Sequence, residues 1–245
     1  MTNFSIKDKL VLALDFHDPS IALEWVAKTR DWIGIFKVGG QLFTQAGPAL
    51  VKEILRQGGK VFLDLKFHDI PNTVAACGEA AVDMGVTIFN VHASGGTEMM
   101  QACAKAVTKR AKDKGIPRPT LLGVTVLTSM DDAVLKSQLG SSRGTEDQVL
   151  HLAKLAKEAG LDGVVASPRE ITRIRTICPK PFKILTPGIR SANDPPDDQK
   201  RTMTAAEALA AGSDYLVLGR TVTSKVDPTQ RLQALHAELS KLPLQ

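Results

Sequence analysis

The chain has 245 residues, of which 43% are hydrophobic and 23% are charged, so it can build a sizeable core and global disorder is excluded. Its net charge of +5 would suit nucleic acid, an anionic membrane surface or a phosphorylated small molecule. Because the basic residues are scattered and only 4% of residues are aromatic, we expect no nucleic-acid partner.

Eight short apolar runs, rich in β-branched residues, recur along the chain. Because they are nearly continuous, they predict strands buried on both faces, as in a parallel sheet. The runs are LVLALD (10–15), GIFKVG (34–39), KVFLDLK (60–66), IFNVHA (88–93), TLLGVTVLT (120–128), GVVAS (163–167), KILTPG (183–188) and YLVLGR (215–220).

Segments with helical periodicity lie between the runs, and several are closed by glycine, as in QACAKAVTKRAKDKG (101–115) and DQVLHLAKLAKEAG (147–160). Eight strand–helix units predict an α/β fold, a (β/α)8 TIM barrel. A doubly wound open sheet is the alternative, which the number of strands disfavours. No linker interrupts the pattern, so we expect a single domain over residues 1–245.

Two connections are longer than a barrel needs. Residues 129–145 include a predicted extra helix, DDAVLKSQL, and the segment SANDPPDDQKR (191–201) follows the seventh strand. Long loops in compact domains are often lids or binding loops, so we expect the second segment to be a mobile loop over the site.

Cysteines and the amino terminus bear on location. Cys77, Cys103 and Cys178 are widely spaced and form no C-x-x-C pair, which predicts reduced thiols and argues against a disulfide framework or a zinc site. The first ten residues, MTNFSIKDKL, are polar and charged, and no run is long enough to span a bilayer. We expect a cytoplasmic protein that does not enter a membrane.

Charged residues stand where the predicted strands end, and the carboxyl ends of barrel strands form the active-site face. In the third strand, Asp64 and Lys66 share one face because side chains alternate, and Asp69 follows three residues later. Lys37 adds an ammonium from the second strand. A purely structural ion-pair network is the alternative, but buried ion pairs stabilise weakly, which favours a catalytic role.

Two histidines lie near this cluster. His68 is out of phase with the Asp64 and Lys66 face, and His92 stands alone in the sequence. We interpret both as packed or hydrogen-bonded structural residues rather than catalytic bases.

A phosphate site is predicted by TPGIR (186–190) and LGRT (218–221), since loops after the seventh and eighth barrel strands commonly bind phosphate. Gly188 and Gly219 would permit close backbone approach, and Arg190 and Arg220 would add cations. Turn glycines beside solvated arginines are the alternative.

Together these residues resemble the orotidine 5′-phosphate decarboxylase family. The resemblance spans essentially the whole chain, and its most specific segment is DLKFHDIPNT (64–73). Further matching pieces are ALD (13–15), KVG (37–39), VHASGG (91–96), VTVLTS (124–129), GLDGVV (160–165), TPGIR (186–190), DQKR (198–201) and LGR (218–220).

The resemblance implies decarboxylation of orotidine 5′-phosphate to uridine 5′-phosphate, the last step of de novo synthesis of that nucleotide, without metal or cofactor. By the family's pattern, Asp15 and Lys37 would bind the ribose hydroxyls, and Lys37 would also join the charge ring. Asp64 would lie near the substrate carboxylate, and Lys66 would be the proton donor.

The family's pattern also implies a homodimer in which Asp69, Ile70 and Thr73 of each subunit contribute to the active site of the partner subunit. Thr128, with Ser129, would meet the pyrimidine edge.

The remaining implied roles concern the ring and the phosphate. Pro187 would pack on the ring, and Gln199 would bridge the base and the phosphate. Arg190, Gly219 and Arg220 would hold the phosphate.

The chemistry is consistent with these roles, because loss of carbon dioxide leaves an electron pair on C6 of the pyrimidine. The sequence contains no P-loop, no G-x-G-x-x-G and no metal-ligand motif that would indicate a cofactor. A fixed ammonium at Lys66 would stabilise the carbanion and then protonate it.

Two other readings stay open. Magnesium-dependent sugar-phosphate enzymes, keto-gulonate-phosphate decarboxylase and hexulose-phosphate synthase, share the D-x-K-x-x-D pattern but carry an acidic metal ligand where this chain has Lys37. A non-catalytic phosphate-binding barrel would explain Gly219 and Arg220 but gives Asp64, Lys66 and Asp69 no task.

Overall fold

The eight apolar runs form eight parallel strands that close into a barrel in the order β1 to β8, with β8 paired to β1. The structure is a computed structural model and describes residues 5–190, 202–224 and 227–242. The strands are β1 Leu10–Ala13, β2 Ile35–Gly39, β3 Lys60–Phe67, β4 Ile88–His92, β5 Thr120–Val124, β6 Gly163–Val165, β7 Lys183–Thr186 and β8 Tyr215–Leu218. The predicted TIM-barrel fold is confirmed.

Helices follow the strands and cover the outside of the barrel. In the described residues they are α1 Ile6–Lys9, α2 Pro19–Thr29, α3 Gly40–Arg56, α4 Pro71–Met84, α5 Gly96–Lys114, α6 Asp132–Leu139, α7 Thr145–Glu158, α8 Ile171–Ile177, α9 Ala205–Ala210, α10 Arg220–Thr223 and α11 Pro228–Leu239. The extra helix predicted within residues 129–145 is α6. None of the helices in the described residues is long and apolar enough to cross a bilayer.

Local sequence signals explain where several helices begin and end. Asp18 accepts a hydrogen bond from the backbone of Ser20 at the start of α2, and Thr204 with Glu207 forms a reciprocal capping box on α9. Gly85 ends α4 in the left-handed conformation that glycine adopts without steric cost.

Two cores are separated by the sheet. The larger one lies between the sheet and the helices. The smaller one fills the barrel with inward-facing side chains from seven of the strands: Val11, Ala13, Ile35, Phe62, Ile88, Leu122, Leu185 and Val217. Because side chains alternate along a strand, the next inward-facing side chains after this layer lie two residues further on, nearer the carboxyl ends of the strands.

Those next positions change character from apolar to polar on four neighbouring strands. Two residues beyond Ala13, Ile35, Phe62 and Ile88 stand Asp15, Lys37, Asp64 and Asn90. The alternation that builds the barrel therefore places a polar layer directly above the apolar layer, at the end where TIM-barrel active sites form.

Candidate active site

A cavity of about 540 Å³ opens at the carboxyl ends of the strands. Of the thirteen residues predicted for the site, those that line the cavity are Asp15, Lys37, Asp64, Lys66, Thr128, Pro187, Arg190, Gly219 and Arg220. Gln199 lies outside the described residues. Residues 69, 70 and 73 are not among the lining side chains.

Four charged side chains form a continuous chain of alternating sign across β1, β2 and β3. The Lys37 ammonium lies 2.9 Å from Asp15 and 3.4 Å from Asp64. The other carboxylate oxygen of Asp64 lies 2.7 Å from the Lys66 ammonium. Asp64 therefore presents one oxygen to each lysine, which fixes the order Asp15, Lys37, Asp64, Lys66.

Lys37 is the more enclosed of the two cations in this row of charges, with 12% of its side chain exposed. Burial, the largest single influence, lowers the pKa of Lys37, but the carboxylates of Asp64 and Asp15 together outweigh it and raise the pKa above its ordinary value. The lysine therefore stays charged at neutral pH. An ammonium held between two carboxylates neutralises the negative field that would otherwise attract a metal ion there.

The end of β3 is not a regular strand, although both Asp64 and Lys66 reach the cavity as predicted. Its pairing with β4 shifts register between Leu63 and Phe67, and Lys66 has a positive φ of 51°. Side-chain alternation thus predicts that both side chains reach the cavity, but it does not predict this irregular backbone.

Asn90 is a site residue that the sequence analysis missed. Its side chain, fully buried on β4, donates a 2.7 Å hydrogen bond to Asp64 and accepts a 2.8 Å hydrogen bond from the backbone N–H of Lys66. The available signal was an amide at an inward position of the apolar run 88–93, since buried polar side chains need hydrogen-bond partners.

The exposed segment after β3 holds the remaining predicted residues. The Asp69 carboxylate accepts a hydrogen bond from the backbone of Ile70, and no ion pair joins it to Lys66 of the same chain among the described residues. Ile70 is 66% exposed, and Thr73 is exposed in the first turn of α4. Within the described residues, Asp69 therefore does not act as the second carboxylate beside Lys66 of its own chain.

His68 and His92 form a pair rather than two separate residues, with ring centroids 5.3 Å apart. Burial, then His68, then Lys66 lower the pKa of His92, and Asp64 opposes them. His92 thus favours the neutral form beside the lysine, and the structural role expected for it stays a prediction.

The loops after β7 and β8, two strands that stand across the closed barrel from β3 and β4, form another part of the cavity wall. Gly188 has a φ of 80°, which favours glycine, and the backbone N–H of Arg190 donates to Met203. Gly219 lies immediately before α10, which begins at Arg220. Both predicted glycine–arginine segments therefore reach the same cavity.

Much of the remaining cavity wall is apolar. Val124, Val126, Val165 and Val217 line it, together with Pro187. A flat, weakly polar ring could pack there while its charged substituents meet the two ends.

Gln41 and Ser167 also line the cavity and were not predicted. Gln41 hydrogen-bonds His17 from the first turn of α3, and Ser167 is buried after β6. Neither has a charge or a motif that would single it out in the sequence.

Within residues 5–190, 202–224 and 227–242, no three His, Cys, Asp or Glu residues come together as a possible set of metal ligands. Asp15 and Asp64 are the acidic pair that line the cavity, and Lys37 joins them.

Comparison with known proteins gives consistent results. Residues 8–235 match the model of the "Orotidine 5'-phosphate decarboxylase / HUMPS family". The chain is 49% identical over 239 residues to the orotidine 5′-phosphate decarboxylase of Moorella thermoacetica, covering 98% of this chain and 95% of the relative. It is 50% identical over 235 residues to that of Syntrophotalea carbinolica, covering 96% of each chain.

Solved structures show the same likeness. The crystal structure of orotidine 5′-phosphate decarboxylase from Lactobacillus acidophilus superimposes with a TM-score of 0.82 at 36% identity, covering 94% of this chain and 98% of that one. The likeness thus extends over nearly the whole barrel.

Proposed function

Because this chain belongs to the orotidine 5′-phosphate decarboxylase / HUMPS family, we propose that it decarboxylates orotidine 5′-phosphate to uridine 5′-phosphate without a metal or cofactor. The observation that carries the proposal is the Lys66 ammonium, held 2.7 Å from Asp64 at the mouth of a cavity with arginines on its opposite side.

In this mechanism the bond between C6 and the carboxylate carbon breaks, carbon dioxide leaves, and the electron pair stays on C6. Lys66 stabilises the developing carbanion electrostatically and then transfers a proton from Nζ to C6. Asp64, beside that ammonium, lies near the substrate carboxylate and keeps the lysine charged and aimed.

Substrate binding is assigned along the cavity. Asp15 and Lys37 bind the ribose hydroxyls, which suits the 61% exposure of the Asp15 side chain beside a buried ammonium. Thr128 meets the pyrimidine edge, and Pro187 packs on the ring; both line the cavity.

The phosphate is assigned to the arginine side. Gly219, Arg190 and Arg220 hold it, supported by their position around one end of the cavity, and Gln199 bridges base and phosphate. Because the phosphate lies away from the bond that breaks, its binding energy positions the ring for reaction.

We also assign the enzyme as a homodimer with shared sites. Asp69, Ile70 and Thr73 would enter the partner's cavity, where Asp69 would become the second carboxylate beside the partner's catalytic ammonium. The exposure of all three residues and the lack of an Asp69–Lys66 ion pair within the described chain support this arrangement.

The family description also names a HUMPS branch. We assign the chain to the metal-independent decarboxylases because Lys37 places a cation between Asp15 and Asp64, where a divalent ion would be repelled. The curated relatives named above support the same branch.

Two wider assignments complete the proposal. One domain over residues 1–245 is supported by the closed barrel. A cytoplasmic location is supported by free thiols at Cys77, Cys103 and Cys178.

The test measures loss of orotate absorbance from orotidine 5′-phosphate in excess EDTA, for the natural chain, Lys66→Ala and Lys60→Ala. Lys60 is the matched control, because it begins the same strand at the opposite end and pairs with Asp8. We expect metal-free turnover in the natural chain and in Lys60→Ala. In Lys66→Ala turnover should fall by several orders of magnitude while uridine 5′-phosphate still binds.

Loss of the natural chain's activity in EDTA would contradict metal independence. Unchanged turnover in Lys66→Ala would remove that lysine from its role.

A further inference from the structure

Lys66 has a backbone conformation that lysine rarely adopts. Its φ of 51° lies in the left-handed region, which is sterically unfavourable for a residue with a Cβ. Such a conformation persists only when surrounding contacts hold it. The structure therefore contains a device that fixes the backbone beneath the ammonium.

That device lies in the pairing of β3 with β4. Leu63 pairs with Phe89 and Phe67 pairs with Val91, so four steps along β3 match only two along β4. The extra residues leave the regular ladder, and their backbone groups need other partners.

Asn90, which lies between Phe89 and Val91, supplies one of those partners with its side chain. Its Oδ1 accepts the hydrogen bond from the backbone N–H of Lys66 at 2.8 Å, in place of a backbone carbonyl of the ladder. The side chain is completely shielded from solvent, so both ends of the amide need partners to offset the cost of burial.

The other end of the amide holds Asp64. Asn90 Nδ2 donates to Asp64 Oδ1 at 2.7 Å, and the same oxygen lies 2.7 Å from the Lys66 ammonium. Asp64 Oδ2 faces Lys37 instead, at 3.4 Å. The amide thereby fixes the rotation of the carboxylate, so that one oxygen faces each lysine.

We propose that Asn90 is a positioning residue for the decarboxylation: one buried amide sets both the backbone of Lys66 and the carboxylate plane of Asp64, and so aims the proton donor. The inference rests on the proposed function. Asn90 acts through its two neighbours, since it is not among the side chains that line the cavity.

Two substitutions separate this role from simple stabilisation. Asn90→Ser shortens the side chain and breaks both contacts. Asn90→Asp keeps the shape and the acceptor for the Lys66 N–H, but it replaces the donor to Asp64 with a second carboxylate. Protonation of the introduced carboxyl restores a donor. The charged groups that it would face are Asp64 and Lys66, with His92 two residues along the same strand.

Ser213→Ala is the matched control. Ser213 is also buried and hydrogen-bonded, to Thr186 and to the backbone of Ile184, but it precedes β8 at the amino end of the barrel. The Ser213→Ala variant should be less stable than the natural chain but should keep the same kcat.

The measurements are kcat and KM for orotidine 5′-phosphate across pH, the Kd of uridine 5′-phosphate, and the thermal midpoint. For Asn90→Ser we expect kcat to fall about 10- to 100-fold, the scale of a lost hydrogen bond to a charged group, with little change in Kd. For Asn90→Asp we expect a similar fall at neutral pH that recovers, relative to the natural chain, as the pH is lowered.

Unchanged kcat in the folded Asn90 variants overturns the inference. So does a loss of kcat that only follows the lost folded fraction, or an Asn90→Asp pH profile parallel to that of the natural chain. Because the natural chain is assayed alongside, its own failure to decarboxylate the nucleotide would identify the proposed function, and not Asn90, as the error.

Discussion

The ammonium nitrogen of Lys37 lies 3.4 Å from a carboxylate oxygen of Asp64, and the two side chains are only 12% and 11% exposed. Because neither charge is well solvated, each charged side chain is stabilised mainly by the opposite charge of the other. Removal of one partner leaves an enclosed charge without compensation, which is costlier than removal of an exposed pair.

Lys37→Met should therefore lower the free energy of unfolding by about 3 kcal/mol at neutral pH, because Asp15 and Asp64 are left facing each other. Lys28→Met is the control, since Lys28 pairs with Glu24 on the exposed surface of α2 and its loss should change little. Urea denaturation of both variants checks this expectation. Equal midpoints for Lys37→Met and the natural chain would show that the ion pairs do not stabilise the fold.

Arg220→Ala should lower kcat/KM for orotidine 5′-phosphate about 10- to 100-fold, the scale of lost charge-assisted hydrogen bonds to phosphate. Orotidine without the phosphate is the control substrate, and kcat/KM for it should be the same in the variant and the natural chain. Steady-state kinetics with both substrates measure the difference. An equal loss with both would place Arg220 away from the phosphate.

Two inactive variants should restore activity in each other if Asp69 acts across a dimer. In a mixed dimer of Lys66→Ala and Asp69→Asn, one site receives both substitutions and the other receives neither. Random assortment then returns about a quarter of the natural sites. Turnover after co-refolding, compared with the sum of the separately refolded variants, measures this recovery. If nothing is recovered while mixed dimers form, Asp69 serves its own chain.

The stability of the protein should depend on His92 in mildly acidic solution. Burial, His68 and Lys66 hold the pKa of His92 below its ordinary value of 6.5. Below about pH 6.5, this histidine is therefore protonated more readily in the unfolded chain than in the folded chain. Stability is then lost as the pH falls, and above that pH the histidine makes no such contribution. His92→Gln should lose less stability between pH 7.5 and 5.5.

The measurement for His92→Gln is urea denaturation at both pH values. His151→Gln on α7 controls for the removal of a histidine elsewhere in the barrel. A pH-dependent loss identical in His92→Gln and the natural chain would contradict this account.

The barrel itself could be predicted because each strand leaves a local signature. All eight strands begin within one residue of the predicted apolar runs, and six of the runs continue for one to four residues past the ladder, furthest after β5, where residues 125–128 lie outside the strand. Turn chemistry and apolar continuity decide these elements, and both can be read over a few residues.

The contact network at the end of β3 could not be predicted in the same way. The position of Lys66 depends on a register shift against β4 and on Asn90, and pairing between strands is not encoded in the spacing of one strand. Likewise, the proximity of His68 and His92 follows from the fold and not from their separation of 24 positions in the sequence.

The apolar layer inside the barrel has a consequence for the charges above it. Phe62 and Ile88, with their neighbours in that layer, exclude water from the barrel interior beneath the charged side chains. Solvent therefore screens these charges only from the open mouth of the cavity. A bound nucleotide would close that side as well. A ligand would therefore strengthen the electrostatic interactions among these charged side chains simply by excluding water from the open side of the cavity.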